Sequence, residues 1–291
     1  MLTKPVAKPK SFGSSITTLI LIILLLFAYS AKATNFDPSL FLDPKNLSGT
    51  GKFISGLWPP DTSPEFLADI LQLVLETIQI SIVGTILAVL AAIPLAIFAT
   101  RVRGEEFSRR SRGTLPWLLR WVAYYVARMI LNVFRGIPEL IWALIFIVTV
   151  GLGPFPGVLA LAAHSTGILG KLYSEMLESV DQNMVESARS MGISELSLLF
   201  FVKIPASLPV LLSYTLFRWE CNMRAATILG FVGAGGIGTQ LTLSMQLFNY
   251  SEVSTLIIVI LALVVLIDLA GQYIRTKLLD RNIYCETEVE I

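Results

Sequence analysis

Long apolar runs dominate this sequence, and only short polar segments separate them. The hydrocarbon core of a bilayer is about 30 Å thick, so a helix that crosses it needs roughly 20 mostly apolar residues. Lipid offers the backbone no hydrogen bonds, and such runs must therefore be helical. The sequence predicts an all-α membrane protein with about six transmembrane helices. The predicted spans are residues 12–33, 66–100, one within 121–150, 158–176, 207–232 and 253–273.

The composition fits residence in a membrane and argues against several other classes of protein. Hydrophobic residues make up 54% of the chain and charged residues 15%, outside the averages for a soluble domain. The net charge of +1 disfavours binding to nucleic acid, which needs clustered surplus Lys and Arg. With only Cys221, Cys285 and one histidine, neither a disulfide framework nor a metal site is expected.

The placement of Lys and Arg predicts how the chain is oriented, because short cytoplasmic loops hold the excess of these residues. Segment 233–252 has no Lys or Arg, whereas the segments before the first span and after the second and last spans are basic. Both termini and segment 184–204 are therefore predicted to be cytoplasmic. The basic residues are Lys4, Lys8, Lys10, Arg101, Arg103, Arg109, Arg110, Arg112, Arg120, Arg275, Lys277 and Arg281.

Two of the predicted spans have alternatives. Ala31 and Ala33 form an A-x-A pattern after the first apolar run, so a cleaved signal peptide competes with the predicted retained span. Polar residues interrupt the third run, and Pro138 would bend it. Residues 115–135 are therefore predicted to be an amphipathic segment at the cytoplasmic interface.

Segment 184–204 is polar, but its residue pattern is typical of two short helices. Glu186 and Arg189 lie three residues apart, as neighbours on a helix do, and Gly192 is a typical helix stop. Glu195 stands near the start of a second helix, where the helix dipole favours an acid. The segment is either an ordinary solvated loop or a docking surface, where the small Ser187 and Ala188 would let a partner approach closely.

The same segment resembles the cytoplasmic signature of ABC importer permeases, which reads E-A-A, three residues, G, nine residues, then I-x-L-P. Here the matching letters are Glu186-Ser187-Ala188, Gly192 and Val202-Lys203-Ile204-Pro205, with departures at positions 187, 202 and 204. The resemblance implies a type I ABC importer permease fold and a coupling helix that docks on a separate ATPase subunit. The coupling residues it implies are Glu186, Ser187, Ala188, Arg189, Gly192 and Pro205.

A narrower resemblance, to the permease of phosphonate importers, covers about residues 66–275. It rests on GLGPFPGVLAL, STGILGKLYSE, SYTLFRWECNMRAATILGFVGAGGIG and LIDLAGQYIR, but not on the N-terminal region or the Arg-rich loop. The resemblance implies a homodimer with two cytoplasmic ATPase subunits and an extracytoplasmic binding protein that delivers a phosphorus oxyanion. The expected organisation is a tail, span and outer loop (1–65), the transmembrane domain (66–280) and a cytoplasmic tail (281–291).

The chain has no phosphate-binding loop of the form G-x-x-x-x-G-K-[ST]. ATP and Mg are therefore expected on the partner ATPase, and this chain is expected to have no cofactor and no catalytic residue. A glycine cluster formally matches a dinucleotide fingerprint, but that fingerprint needs a βαβ unit. The cluster is predicted to form a tight re-entrant turn or a dimer contact near the outer gate, or simply a loop that needs positive φ. Its members are Gly233, Gly235, Gly236 and Gly238.

Several polar residues lie near the middle of predicted spans, where a charge costs at least about 2.5 kcal/mol. Glu220 and Arg224 are predicted to pair, since they are four residues apart. In one interpretation these groups lock helices together across the dimer; in the other, Arg218 or Arg224 eases the passage of an anion. His164 either contributes to that path or joins helices by a hydrogen bond. The candidate pathway residues are Arg218, Glu220, Asn222, Arg224 and His164.

Other functions and substrates stay open at this point. A secondary transporter would show an acidic relay or inverted repeats, and a membrane enzyme would show convergent catalytic groups; neither is visible. Selectivity in such importers is expected in the binding protein, so phosphite, phosphate, another oxyanion or an amino acid are alternative substrates.

Overall fold

The computed structural model describes residues 12–41, 43–100 and 114–287, and within these ranges every regular element is helical. The chain divides into two compact units, residues 1–55 and 56–291. The first unit contains α1 (Phe12–Ala33), a short 3-10 turn (Pro38–Phe41) and most of α2 (Pro44–Gly56). Helix α1 has the bounds of the first predicted span and is apolar enough to cross a membrane.

The second unit is a bundle of nine helices within the described residues. These helices are α3 (Pro64–Ala99), α4 (Thr114–Gly136), α5 (Glu139–Val150), α6 (Pro154–Ser179), α7 (Gln182–Ser190), α8 (Glu195–Leu198), α9 (Ile204–Leu229), α10 (Ile237–Gln246) and α11 (Tyr250–Thr287). A single π turn, Leu199–Lys203, joins α8 to α9.

Helix α6 is the centre of this bundle. It packs against α3, α4, α5 and α9, and more than half of its residues are buried. Along the crossing with α3, the small residues Ala88, Ala92 and Ala96 recur every fourth position and are at most 2% exposed. Small residues let membrane helices approach closely, so this stripe sets how near α6 lies to α3.

The burial of α6 explains a difference from the sequence prediction. Within the described residues, four helical stretches are long and apolar enough to cross a membrane, or five if the bent pair α4 and α5 counts as one span, and α6 is not among them. Neighbouring helices cover α6 on several sides, so its own surface carries Ser165, Thr166 and other polar groups. A hydropathy window underrates such a helix because it assumes that every face meets lipid.

The third predicted span is bent at Pro138, as its sequence indicates, and α4 meets α5 at 92°. The amphipathic segment predicted at residues 115–135 also has a packing role. Ala127 and Leu131 are at most 3% exposed and pack with Ala99 of α3. Helix α4 is therefore part of the bundle core over its second half.

Two helices were not predicted. Helix α10 lies inside segment 233–252, and α2 lies between the first two spans; both segments were expected to be loops. The basic residues before α1 and between α3 and α4 lie outside the described residues, as does the end of the C-terminal tail, whereas Arg120 lies in α4. The predicted orientation and domain boundaries stay predictions.

The crossing of α4 and α6 yields a test of this packing. A Cβ atom at Gly167 would collide with the backbone nitrogen of Arg135 and lie 2.8 Å from the carbonyl oxygen of Leu131. We expect Gly167→Ala to destabilise the protein by about 1–3 kcal/mol, the usual cost of overpacking. Gly136→Ala is the matched control, since nothing lies within 4 Å of its Cβ position. Thermal unfolding in detergent compares the two, and an equal melting temperature for both variants would contradict the close crossing.

Candidate functional site

Helices α7 and α8 fold around a small core of their own. Val185, Ala188 and Leu198 are at most 5% exposed, and Val180, Ile193 and Val202 pack around them. We call residues 182–203 the α7–α8 element. Its internal core makes it an ordered projection from the bundle and not a loose loop.

The ends of both helices are capped by local hydrogen bonds. The Asp181 carboxylate accepts from the backbone N–H of Asn183 at 2.9 Å, and the Ser194 hydroxyl accepts from that of Ser197 at 3.2 Å. Gly192 follows α7 with φ of 81°, a left-handed conformation that favours glycine. The stop predicted at Gly192 is thus present.

An ion pair closes the turn between the two helices. Arg189 donates through Nε to Glu195 Oε1 at 3.1 Å, and the arginine side chain is only 16% exposed. Glu195 belongs to α8, so this pair joins the two helices across the turn. The pair fixes the angle between α7 and α8.

The outer face of the element differs from the prediction at Ala188. This residue is buried in the element's core, so its small size serves the packing of α7 on α8 and not the approach of a partner. Glu186 and Ser187 are exposed, as is Pro205 in the first turn of α9. Large apolar side chains flank them and are more than half exposed, namely Met184, Met191, Leu196 and Phe200. Exposed apolar groups with a polar rim are typical of a protein interaction site.

The bundle is tied together next to this element by Arg128 of α4. Its Nε donates to the carbonyl oxygen of Ala99 at 3.1 Å, and its terminal nitrogen lies 2.8 Å from Glu178 Oε1. These groups stand at the ends of α3 and α6, just before the α7–α8 element begins. The element therefore projects from a base that three helices share.

A chain of hydrogen bonds crosses the middle of the bundle. Arg218 of α9 donates through Nε to Ser165 of α6 at 3.0 Å, and the Ser165 hydroxyl donates to Asn222 Oδ1 at 2.8 Å. The Asn222 amide nitrogen then donates to the Thr85 hydroxyl of α3 at 2.9 Å. Ser165 and Asn222 are fully buried. We call these residues the polar chain; it links two predicted pathway residues, Arg218 and Asn222.

The predicted pairing of Glu220 with Arg224 is wrong. Glu220 accepts from Arg275 of α11 at 3.1 Å, and Arg224 lies 3.7 Å from Asp268 of the same helix. Glu220 and Arg224 of α9 thus each have their partner on α11. Gly271 makes this possible, because a Cβ atom there would collide with the Glu220 carboxylate.

His164 lies at the bend between α4 and α5. Its Nδ1 is 3.0 Å from the carbonyl oxygen of Ile137, and its Nε2 is 3.4 Å from Glu139 Oε2. These contacts describe a histidine that joins helices, which is the second of the two roles expected for it.

The glycine cluster forms a tight turn fastened to α3. Gly233, Gly235 and Gly236 have φ of 90°, 82° and 73°. The backbone N–H of Gly236 donates to Glu76 at 3.2 Å, and that of Ile237 donates to Thr77 at 2.9 Å. The positive φ values account for these three glycines. The fourth, Gly238, brings α10 against the carbonyl oxygen of Thr227, where a Cβ atom would collide.

Comparison with known proteins fits this architecture. The family model described as "Binding-protein-dependent transport system inner membrane component" matches residues 117–281, more than half of the chain. The chain belongs to this family. It is therefore a permease component of a transport system, and the alternative of a secondary transporter is set aside.

Individual relatives are permeases too. The chain is 39% identical to the phosphite transport system permease protein PtxC of Stutzerimonas stutzeri over 69% of this chain and 68% of that protein. It is 32% identical to the phosphate-import permease protein PhnE of Mycolicibacterium smegmatis over 86% of this chain and 44% of that protein. These relatives are transport components, in agreement with the expectation of a multi-pass inner-membrane protein.

A solved structure supports the fold. The permease resembles a chain of the MetNI methionine ABC transporter with a TM-score of 0.61 and 20% identity, covering 75% of this chain and 99% of that chain. The predicted type I ABC importer permease fold is thereby confirmed.

The ion pair between α9 and α11 gives a second testable prediction. The Glu220 side chain is only 4% exposed, so Glu220→Ala leaves the Arg275 charge without its partner. We expect a loss of about 3–5 kcal/mol in stability, and partial recovery when Arg275→Leu is added. Lys171→Gln, which removes an exposed pair with Glu175, is the control and should cost about 0.5 kcal/mol. Thermal unfolding of the purified permease measures all of these variants; additive losses in the double variant would refute the pairing.

Proposed function

We propose that this permease is the membrane-spanning subunit of an ATP-driven importer for a phosphorus oxyanion such as phosphite or a phosphonate. The observation that carries the proposal is the 39% identity to a phosphite transport permease over 69% of the chain. A second relative, the putative phosphite permease protein HtxC of Stutzerimonas stutzeri, is 36% identical over 78% of this chain and supports the same class of solute.

The proposed complex contains a second copy of this chain, two cytoplasmic ATPase subunits and an extracytoplasmic binding protein. ATP and Mg bind to the ATPase subunits, and the permease itself holds no cofactor and catalyses no reaction. Both termini and the α7–α8 element face the cytoplasm in this arrangement. Two symmetric copies would each supply one wall of the pathway, as expected for a cyclic dimer.

The α7–α8 element is the proposed contact with the ATPase. Glu186, Ser187 and Pro205 offer the exposed polar surface, while Ala188, Arg189 and Gly192 hold the shape of the element. ATP binding draws the two ATPase subunits together and moves both elements, which opens the pathway outward; hydrolysis resets it. A projection with its own core can transmit such a movement, whereas a loose loop would absorb it.

The glycine turn is the proposed outer end of the pathway. Gly233, Gly235 and Gly236 lie between α9 and α10, and Gly238 lies in the first turn of α10, at the opposite end of α9 from the α7–α8 element. The hydrogen bonds to Glu76 and Thr77 fasten the turn to α3, so it would move together with that helix.

Blocking the exposed face of α7 tests the docking role. We expect Ser187→Trp to reduce co-purification of the ATPase subunit at least about tenfold, because a bulky group at the centre of an interface prevents close contact. Ser39→Trp is the matched control, since Ser39 is also exposed but lies in the other compact unit. Co-purification with Ser187→Trp at the wild-type level would contradict docking through this face.

The solute is tested with the reconstituted complex. ATP hydrolysis is measured with the binding protein loaded in turn with phosphite, methylphosphonate, phosphate, sulfate or methionine. We expect stimulation by the phosphorus oxyanions alone. Methionine is included because the methionine import permease MetP of Bacillus subtilis is 31% identical over 59% of this chain. Stimulation by methionine or sulfate alone would keep the importer and reject the proposed solute.

A further inference from the structure

The cationic side chains near the middle of α9 and α11 differ in their surroundings. Arg224 lies 3.7 Å from Asp268, and Arg275 lies 3.1 Å from Glu220, so both have an acidic partner. Within the described ranges, no carboxylate forms an ion pair with Arg218. Glu139 acts on the Arg218 charge from a distance and makes no ion pair with it; its carboxylate lies 3.4 Å from His164 Nε2. Of these three arginines, Arg218 is thus the one that has no carboxylate in direct contact among the described residues.

The polar chain fixes the orientation of Arg218. Its Nε is held by Ser165 at 3.0 Å, Ser165 is held by Asn222, and Asn222 is held by Thr85. Three buried residues from three helices thus direct one nitrogen of the guanidinium. A side chain held in this way loses little freedom when it meets a ligand.

The other end of the guanidinium is available. The two terminal amino groups of Arg218 donate no hydrogen bond to any residue that the structure describes, and the side chain is half-buried, not enclosed. Two parallel N–H groups on a planar fork match the paired oxygens of a phosphate or phosphonate. The geometry therefore leaves a bidentate oxyanion donor at the surface of the bundle core.

We propose that Arg218 is the residue of this permease that contacts the oxyanion as it crosses the membrane, with Ser165, Asn222 and Thr85 as positioning residues. The inference rests on the proposed function and deepens it. An unpaired charge at this depth is costly, and intramembrane charges of this kind face a water-filled cavity or mark a solute pathway. Arg224, the other candidate from the sequence, is paired with Asp268 and serves to hold α9 on α11.

A single arginine also suits transport better than a site that surrounds the anion and holds it tightly. A permeating anion must be bound strongly enough to enter and weakly enough to leave. One guanidinium fork meets both needs, because the anion exchanges water for two hydrogen bonds and keeps its remaining hydration.

Uptake by the complete complex in proteoliposomes tests the inference. The probe is labelled phosphite delivered by its binding protein, and both uptake and the ATP hydrolysed per phosphite delivered are measured. We expect Arg218→Gln to lower uptake at least about tenfold and to raise the ATP consumed per anion. Arg218→Lys should recover part of the rate, since it keeps the charge and loses the fork. Ser165→Ala should fall between wild type and Arg218→Gln.

Arg224→Gln is the matched control and should keep uptake within about threefold of wild type, since its pair is exposed. Uptake by Arg218→Gln at the wild-type rate would overturn the inference and leave the importer intact. Loss of the assembled dimer in both Arg218 variants, seen by size-exclusion chromatography, would make Arg218 a structural lock and also overturn it. If the wild-type complex carries no phosphorus oxyanion, the proposed function fails, and the inference fails with it.

Discussion

Polar groups inside a bilayer must find their partners within the protein, and the second compact unit is organised around this requirement. The polar chain meets it for three helices at once, because Ser165 both accepts from Arg218 and donates to Asn222. Away from water, an unsatisfied hydroxyl or amide costs more than a hydrogen bond gains at a surface. Helix α6 can be polar only because α3 and α9 supply these partners, and their packing in turn depends on it.

Two charged residues of α9, Glu220 and Arg224, also find their partners within the protein, but on α11. Glu220 pairs with Arg275 of α11, and Arg224 pairs with Asp268 of the same helix. Gly271 leaves room for the Glu220 carboxylate. Helix α9 is thus tied to α3 and α6 by hydrogen bonds that involve no carboxylate, and to α11 by ion pairs. Arg218 belongs to the first set, and its surplus charge is what distinguishes it from Arg224.

Sequence reasoning found the features that depend on neighbours along the chain. The apolar runs predicted α3, α9 and α11, Pro138 predicted the bend between α4 and α5, and Gly192 predicted the end of α7. Each of these features is a property of one local segment. The partners of Glu220 and Arg224 could not be found this way. The four-residue rule compares positions on one helix, and it contains no information about which helix lies alongside.

The connection between the α7–α8 element and α9 has a mechanical consequence. Only the π turn Leu199–Lys203 separates α8 from α9, so helical backbone continues from the element into the bundle. Arg218 lies fourteen residues beyond Ile204, which is roughly 21 Å along a helix axis. Helix α9 can therefore act as a lever, with the α7–α8 element at its N-terminal end and Arg218 further along the same helix. In the proposed complex, a tilt imposed on the element by the ATPase would be carried along α9 to Arg218, where the hydrogen bond to Ser165 would resist it.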